Sequence, residues 1–249
     1  MLQKEEYLTT RYCSPLQEIS LSSLTLICQE LAIEEVERIG YDRTKTIDQG
    51  LLWVVGKQHY EITRMPRYEE HVQTLTYPGK HLGPFFLRHY RILSQSGDML
   101  IKGVAVWCII DQNTRTIVDI AKKGIVLPVE SHEGELDFPK GYPMVEGTRK
   151  ETLEASFSRC DVNGHMNNTK YFDFIEDAIP VSFLKEHEIE TIDISYKKEI
   201  PLGAKVEVSI AESDGSYYFH SDHFDAKLGY RKNNGDAYAK KRLGMEPFR

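Results

Sequence analysis

Asp161-Val162-Asn163-Gly164-His165-Met166-Asn167-Asn168-Thr169-Lys170-Tyr171 joins a run of turn-forming residues to the first apolar position of a helix. Tyr171, Phe174, Ile175 and Ala178 recur every three to four residues, the period that puts them on one helical face. Asn167 or Asn168 stands where an N-cap belongs, because a short polar side chain there accepts from a first-turn N–H that lacks a helical partner. Pro180 has no donor of its own and clashes with the preceding turn, so the helix should end or kink there. Beyond it, strand patterns run over residues 191–200, 205–211, 216–230 and 237–245, with Lys232-Asn233-Asn234-Gly235 as a hairpin turn.

The first half carries the same programme. Leu24, Ile27, Cys28, Leu31 and Ala32 mark a helix face, with Ser20, Ser22 and Ser23 to cap it. Strand patterns follow at 51–63, 71–77, 85–93, 100–110 and 116–120; Ser96-Gly97-Asp98 and Asp111-Gln112-Asn113 supply turns between them. The halves superimpose in sequence, with an offset of 147 residues in the helices and 134 in the strands. Leu24 falls opposite Tyr171, and Arg64-Met65-Pro66-Arg67 opposite Lys198-Glu199-Ile200-Pro201. The first half must therefore carry an insertion between helix and strand, placed at about residues 34–47. Opposite the opening run it has Ser14-Pro15-Leu16-Gln17-Glu18, with no Asn or His. One active site per chain is expected. A helix followed by an antiparallel sheet, done twice, is an α+β pattern.

Three Pro and three Gly between Leu127 and Gly147, without a hydrophobic period, read as a linker, set at 129–147 between units at 1–128 and 148–249. The formal charge of -7 argues against a nucleic-acid or anionic-membrane partner. Four Cys form no C-x-x-C pair, and no run approaches the ~18 apolar residues of a spanning helix. A cytoplasmic protein with reduced thiols is the expectation.

The run D-x-N-x-H-x-N-N-x-x-Y at 161–171 resembles the motif of the acyl-acyl carrier protein (acyl-ACP) thioesterases, where it also leads into a long helix. Asp48-Gln49-Gly50-Leu51-Leu52-Trp53-Val54-Val55 and Arg64-Met65-Pro66-Arg67-Tyr68-Glu69-Glu70 look like the family's first-half strands; 106–111 and 194–199 also fit. The resemblance implies a double hot dog, two tandem units each with a helix wrapped by a curved antiparallel sheet. It implies a fatty acyl chain on ACP as substrate, free fatty acid as product, and no cofactor or metal. Plant relatives carry a Cys after the Glu that corresponds to Glu199. Here that place is Ile200, which excludes a Cys–His mechanism at that position.

Thioester hydrolysis needs a polarised carbonyl, an activated nucleophile and care of the thiolate. The N-terminus of the second helix offers N–H groups for the carbonyl. His165 can act as base near neutral pH, and Glu199 is the second candidate base. Asp161 and Asn163 are placed to orient His165 or a water, and Asp161 is an alternative nucleophile. Water attack with His165 and Glu199 sharing the proton is the preferred reading. Asn167, Asn168 and Trp53 are the candidate substrate-binding residues. The bland alternative is that Asp, Asn and Gly form a loop and the two Asn merely cap a helix.

Other candidates are weaker. His220 and His223 have ligand-like spacing but should face opposite ways in a strand. Cys160 reads as an inert thiol, and Trp107 as core. The basic runs at 197–198, 231–232 and 240–242 are candidate docking points for acidic ACP. An acyl-CoA thioesterase or a non-catalytic acyl-binding regulator on the same fold remain alternatives; a hot-dog dehydratase would show a His-Phe-Pro-Gly pattern that is absent. A homodimer is compatible with the sequence.

Overall fold

Helix α1 (Leu21–Arg38) begins where Ser20 accepts from the Ser23 N–H at 3.2 Å, and it buries the expected face of Leu24, Ile27, Cys28, Leu31 and Ala32. The second half breaks its helix into α2 (Lys170–Ala178) and α3 (Val181–Glu186), with Pro180 between them. The cap of α2 is Thr169, not either Asn. Asn167 acts one step earlier: its Oδ1 accepts from Thr169 N at 2.9 Å and from Thr169 Oγ1 at 2.8 Å. The computed structural model describes residues 1–119, 124–143 and 145–233.

Among the described residues one antiparallel sheet of ten strands holds the two halves together. The first half gives β1 (Leu2–Tyr7), β2 (Leu51–Ile62), β3 (His71–Leu82), β4 (Phe85–Ser94) and β5 (Met99–Asp111). The second gives β6 (Arg149–Glu154), β7 (His187–Tyr196), β8 (Lys205–Ser213), β9 (Ser216–His220) and β10 (Phe224–Lys232). The order β1-β3-β4-β5-β2-β7-β10-β9-β8-β6 repeats itself when read from either edge. At its centre β2 meets β7, with His59 paired to Asp193, two positions related by the strand offset. Each half lays helix on sheet, and a single core of apolar residues from both runs beneath α1 and α2. This is the double hot dog.

Several expectations are corrected. Residues 116–119 form no strand, only a bridge from Ile117 to Ile110. The run 216–230 divides because Ser221 Oγ accepts from the N–H groups of His223 and Phe224, turning the chain between β9 and β10. β7 starts earlier than expected and stops at Tyr196, which leaves Glu199 on a loop rather than a strand. The strand expected at 237–245 and the end of the 232–235 turn lie outside the described residues. α3 runs directly into β7, whereas residues 39–50 separate α1 from β2, so the extra first-half segment sits a few residues later than placed from sequence. The stretch after Leu127 is packed: Leu136 and Phe138 cover Leu87, Val104 and Val106, which point away from α1 by strand alternation.

Candidate active site

The run 161–168 folds as a tight loop. Asp161 N donates to His165 O at 2.9 Å, Gly164 N to Asp161 O at 3.1 Å, and Asp161 Oδ1 accepts from Asn163 N at 2.8 Å. Gly164 takes φ 77, a left-handed conformation suited to a residue without Cβ. Bridges from Cys160 to Met166 and from His165 to Pro201 fasten the loop to the segment that carries Glu199. His165 Nε2 consequently stands 3.8 Å from Glu199 Oε2, an electrostatic approach rather than a hydrogen bond. His165 Nδ1 is buried and has no partner among the described residues. Glu199 Oε1 is held by Arg115 Nη2, and His223 Nδ1 lies 3.0 Å from the Glu199 carbonyl oxygen.

Two adjoining cavities lie in front of the loop. Asp161, Asn163, Asn167 and Asn168 line a polar mouth together with Cys160. Behind it an apolar cavity of ≈ 250 Å³ runs between α1 and the first-half sheet. Trp53, Trp107, Val162 and Asn163 belong to the lining of both, so the two spaces adjoin there. Tyr41, Arg43, Thr46 and Ile47, from the extra segment 39–50, close one side of the apolar part. His165 and Glu199 are in neither lining, while Gly164 and Leu202, next in the chain to His165 and Pro201, belong to that of the mouth.

The structure thus brings Asp161, Asn163, Asn167, Asn168 and Trp53 to one cleft, and pairs His165 with Glu199 beside it. Sequence reasoning missed Arg115, which reaches Glu199 from the other half across a tertiary contact with no local signature. At the start of α2 two backbone amides have partners within the loop. Thr169 N donates to Asn167 Oδ1 and Lys170 N to Asn167 O at 2.9 Å, so these leading amides of α2 are already engaged. Cys160 is disfavoured as a thiolate, since burial and the neighbouring Asp161 push its pKa up.

Residues 2–126 match the family model of the acyl-ACP thioesterase N-terminal domain, and residues 144–243 that of the C-terminal domain. The chain belongs to the acyl-ACP thioesterase family. An acyl-[acyl-carrier-protein] hydrolase of Cuphea viscosissima is 25% identical over 81% of this chain and 53% of its own length. The chain spans about half the length of the curated relatives it matches. An acyl-ACP thioesterase of Bacteroides thetaiotaomicron superimposes with a TM-score of 0.78 at 17% identity, covering 92% of this chain and 97% of that one. The 12:0-ACP thioesterase of Umbellularia californica gives 0.77 at 16% identity over 93% and 97%. These structures share the fold.

Within the family frame, Ile200 is fully buried and its carbonyl accepts from Met166 N at 2.8 Å, so the position serves packing and backbone pairing. His220 and His223 hold different partners: His220 Nδ1 meets Asp225 Oδ1 at 2.6 Å, and His223 meets Glu199. His223 sits in the turn, not on a strand face. Of the basic runs, Lys197 is spent on Asp225 and Arg231 on Glu188 and Glu190; 240–242 lie outside the described residues. Among the described residues no helix is long and apolar enough to cross a membrane.

Proposed function

We propose that this chain hydrolyses the thioester of a fatty acyl chain carried on ACP, releasing free fatty acid and holo-ACP. The observation that carries the reading is the position of Asn163, in the lining of both the polar mouth and the apolar cavity. A thioester bound at the mouth has its acyl chain directed between α1 and the first-half sheet, where Trp53 and Trp107 form the neck. The family of the chain and the names of its relatives support ACP as the carrier.

In the proposed mechanism a water oxygen attacks the carbonyl carbon while His165 takes the water proton. Negative charge on the carbonyl oxygen is met by the side-chain amides of Asn163 and Asn168, which line the mouth, since the first amides of α2 are committed to Asn167. The carbon–sulfur bond then breaks, and the thiolate takes the proton back from His165. Glu199 faces the imidazole at 3.8 Å and orients it during transfer. Asp161 shapes the loop through Asn163 N, which argues for a structural share in its role.

Hydrolysis measured over acyl-ACPs and acyl-CoAs of graded length tests the proposal. Preference for ACP at equal acyl length is expected, and failure to cleave any thioester would end the enzyme reading. His165→Ala should lower kcat by at least ~10²-fold in a folded protein, the usual weight of a general base; turnover near wild type would remove His165 from the mechanism.

A further inference from the structure

Arg115 sits in the turn after β5 with φ 56, in the left-handed region. The turn is well tied: Arg115 N donates to Asp111 O and Asp111 N to Thr116 O, both at 2.9 Å. Asp111 Oδ1 also accepts from the N–H groups of Asn113 at 2.9 Å and Thr114 at 2.8 Å. A left-handed turn position favours Gly or Asn, whose backbones enter that region with least resistance. A long cationic side chain there points to a use for the side chain itself. That side chain leaves the first half, crosses to the second, and ends with Nη2 on Glu199 Oε1.

Glu199 is then divided between two partners. One oxygen holds the guanidinium; the other faces His165 Nε2 at 3.8 Å. Both side chains are partly exposed, at 35% for Arg115 and 43% for Glu199, so the pair adds little to folding. Its geometric effect is larger. A carboxylate on a loop rotates freely unless something fixes it, and a planar guanidinium fixes it better than a flexible ammonium does. The backbone beside it is steadied by His223.

We infer that Arg115 is a positioning residue for the proposed hydrolysis: from the opposite half of the chain it locks Glu199 so that the free carboxylate oxygen faces His165. Glu199 thereby orients the imidazole and answers its charge, and His165 alone carries the proton. The first half contributes to the reacting centre as well as to the cavity. This inference rests on the thioesterase reading and refines it.

The test is a mutant cycle on whichever acyl-ACP the wild type cleaves fastest. Arg115→Gln should lower kcat by about tenfold with KM within about twofold, because the lost interaction acts on the reacting centre and not on the bound chain. Arg115→Lys should recover part of that loss. In a Glu199→Gln background, Arg115→Gln should cost no more than about a further twofold, since residues acting through one another are not additive. Thermal unfolding of each variant should stay close to wild type. An unchanged kcat in Arg115→Gln, or a fully additive double variant, would overturn the inference. If Glu199→Gln and His165→Ala both turn over like wild type, the site reading falls with it; if those two are impaired and Arg115→Gln is not, only the role of Arg115 is lost.

Discussion

The loop at 13–20 and the loop at 160–167 are the same backbone written twice. Cys13 bridges Ile19 as Cys160 bridges Met166, and Glu18 bridges Arg67 as His165 bridges Pro201. Ser14 N donates to Glu18 O as Asp161 N does to His165 O; Ile19 N reaches Pro66 O as Met166 N reaches Ile200 O. Only the side chains part company. Asp161, Asn163 and His165 stand against Ser14, Leu16 and Glu18. The chambers that the loops face differ in the opposite sense. The second-half loop looks into the first-half cavity, whereas the first-half loop borders a groove against α3, Ile189 and Tyr230. There Phe183, at the helix offset from Val36, stacks on His187 with ring centroids 3.9 Å apart and meets Tyr217 and Tyr230 edge-on. The second half joins the polar loop to a cluster of aromatic rings at Phe183; the first joins the plainer loop to the apolar cavity at Val36. A complete site needs one contribution from each.

That division can be broken at either end. Asn163→Leu gives the second loop the side chain of the first and removes a carbonyl donor at the mouth; a loss of about 10²-fold in kcat is expected, as for an oxyanion-hole donor. Leu16→Asn, the reverse change in the first loop, should leave turnover within about twofold. Equal effects from the two would mean that the loops share the work. The chamber is tested by Val36→Phe, which puts the second half's aromatic into the lining of the first-half cavity. Long acyl chains should lose about tenfold in kcat/KM, roughly what one or two displaced methylenes are worth, while short ones change little. A uniform loss at every length would place the acyl chain elsewhere.

Much of this architecture was legible in local pattern. The α1 face, the four strands from Leu51 to Asp111 and the loop-to-helix run at 161–171 all carry their period or turn chemistry within a few residues. His59 and Asp193, which pair at the centre of the sheet, are separated by the same 134 residues as the strand segments matched in sequence. What escaped was either masked by charge or settled at a distance. β1 and β6 are edge strands whose alternating Lys, Glu and Arg protect an open edge and hide the apolar signal. Arg115 and Glu199 meet only because β5 and the loop after β7 end near each other, a fact of sheet order that no window of sequence contains. The start of α2 shows the same limit: whether its amides are open depends on what Asn167 does, and an Asn before a helix can bond to the leading amide or leave it free.

The smallest effect is the most direct test of whether the two loops share one backbone. Gly164 has φ 77, and a Cβ built there meets nothing within 4 Å, so substitution at that point is resisted by the dihedral alone. Its counterpart, Gln17, already holds φ 60 with a full side chain. A left-handed L-residue costs about 1–2 kcal/mol, and Gly returns roughly 0.5–1 of that through its freer unfolded chain. Gly164→Ala should therefore destabilise by about 1 kcal/mol in urea unfolding, and Gln17→Gly should be neutral or stabilising by up to about 1. Matched changes of opposite sign would show that the second loop could carry a side chain at Gly164 as the first does at Gln17. A penalty above about 3 kcal/mol at Gly164 would exceed what the dihedral explains. The polar loop would then be held to its dihedral more tightly than its copy.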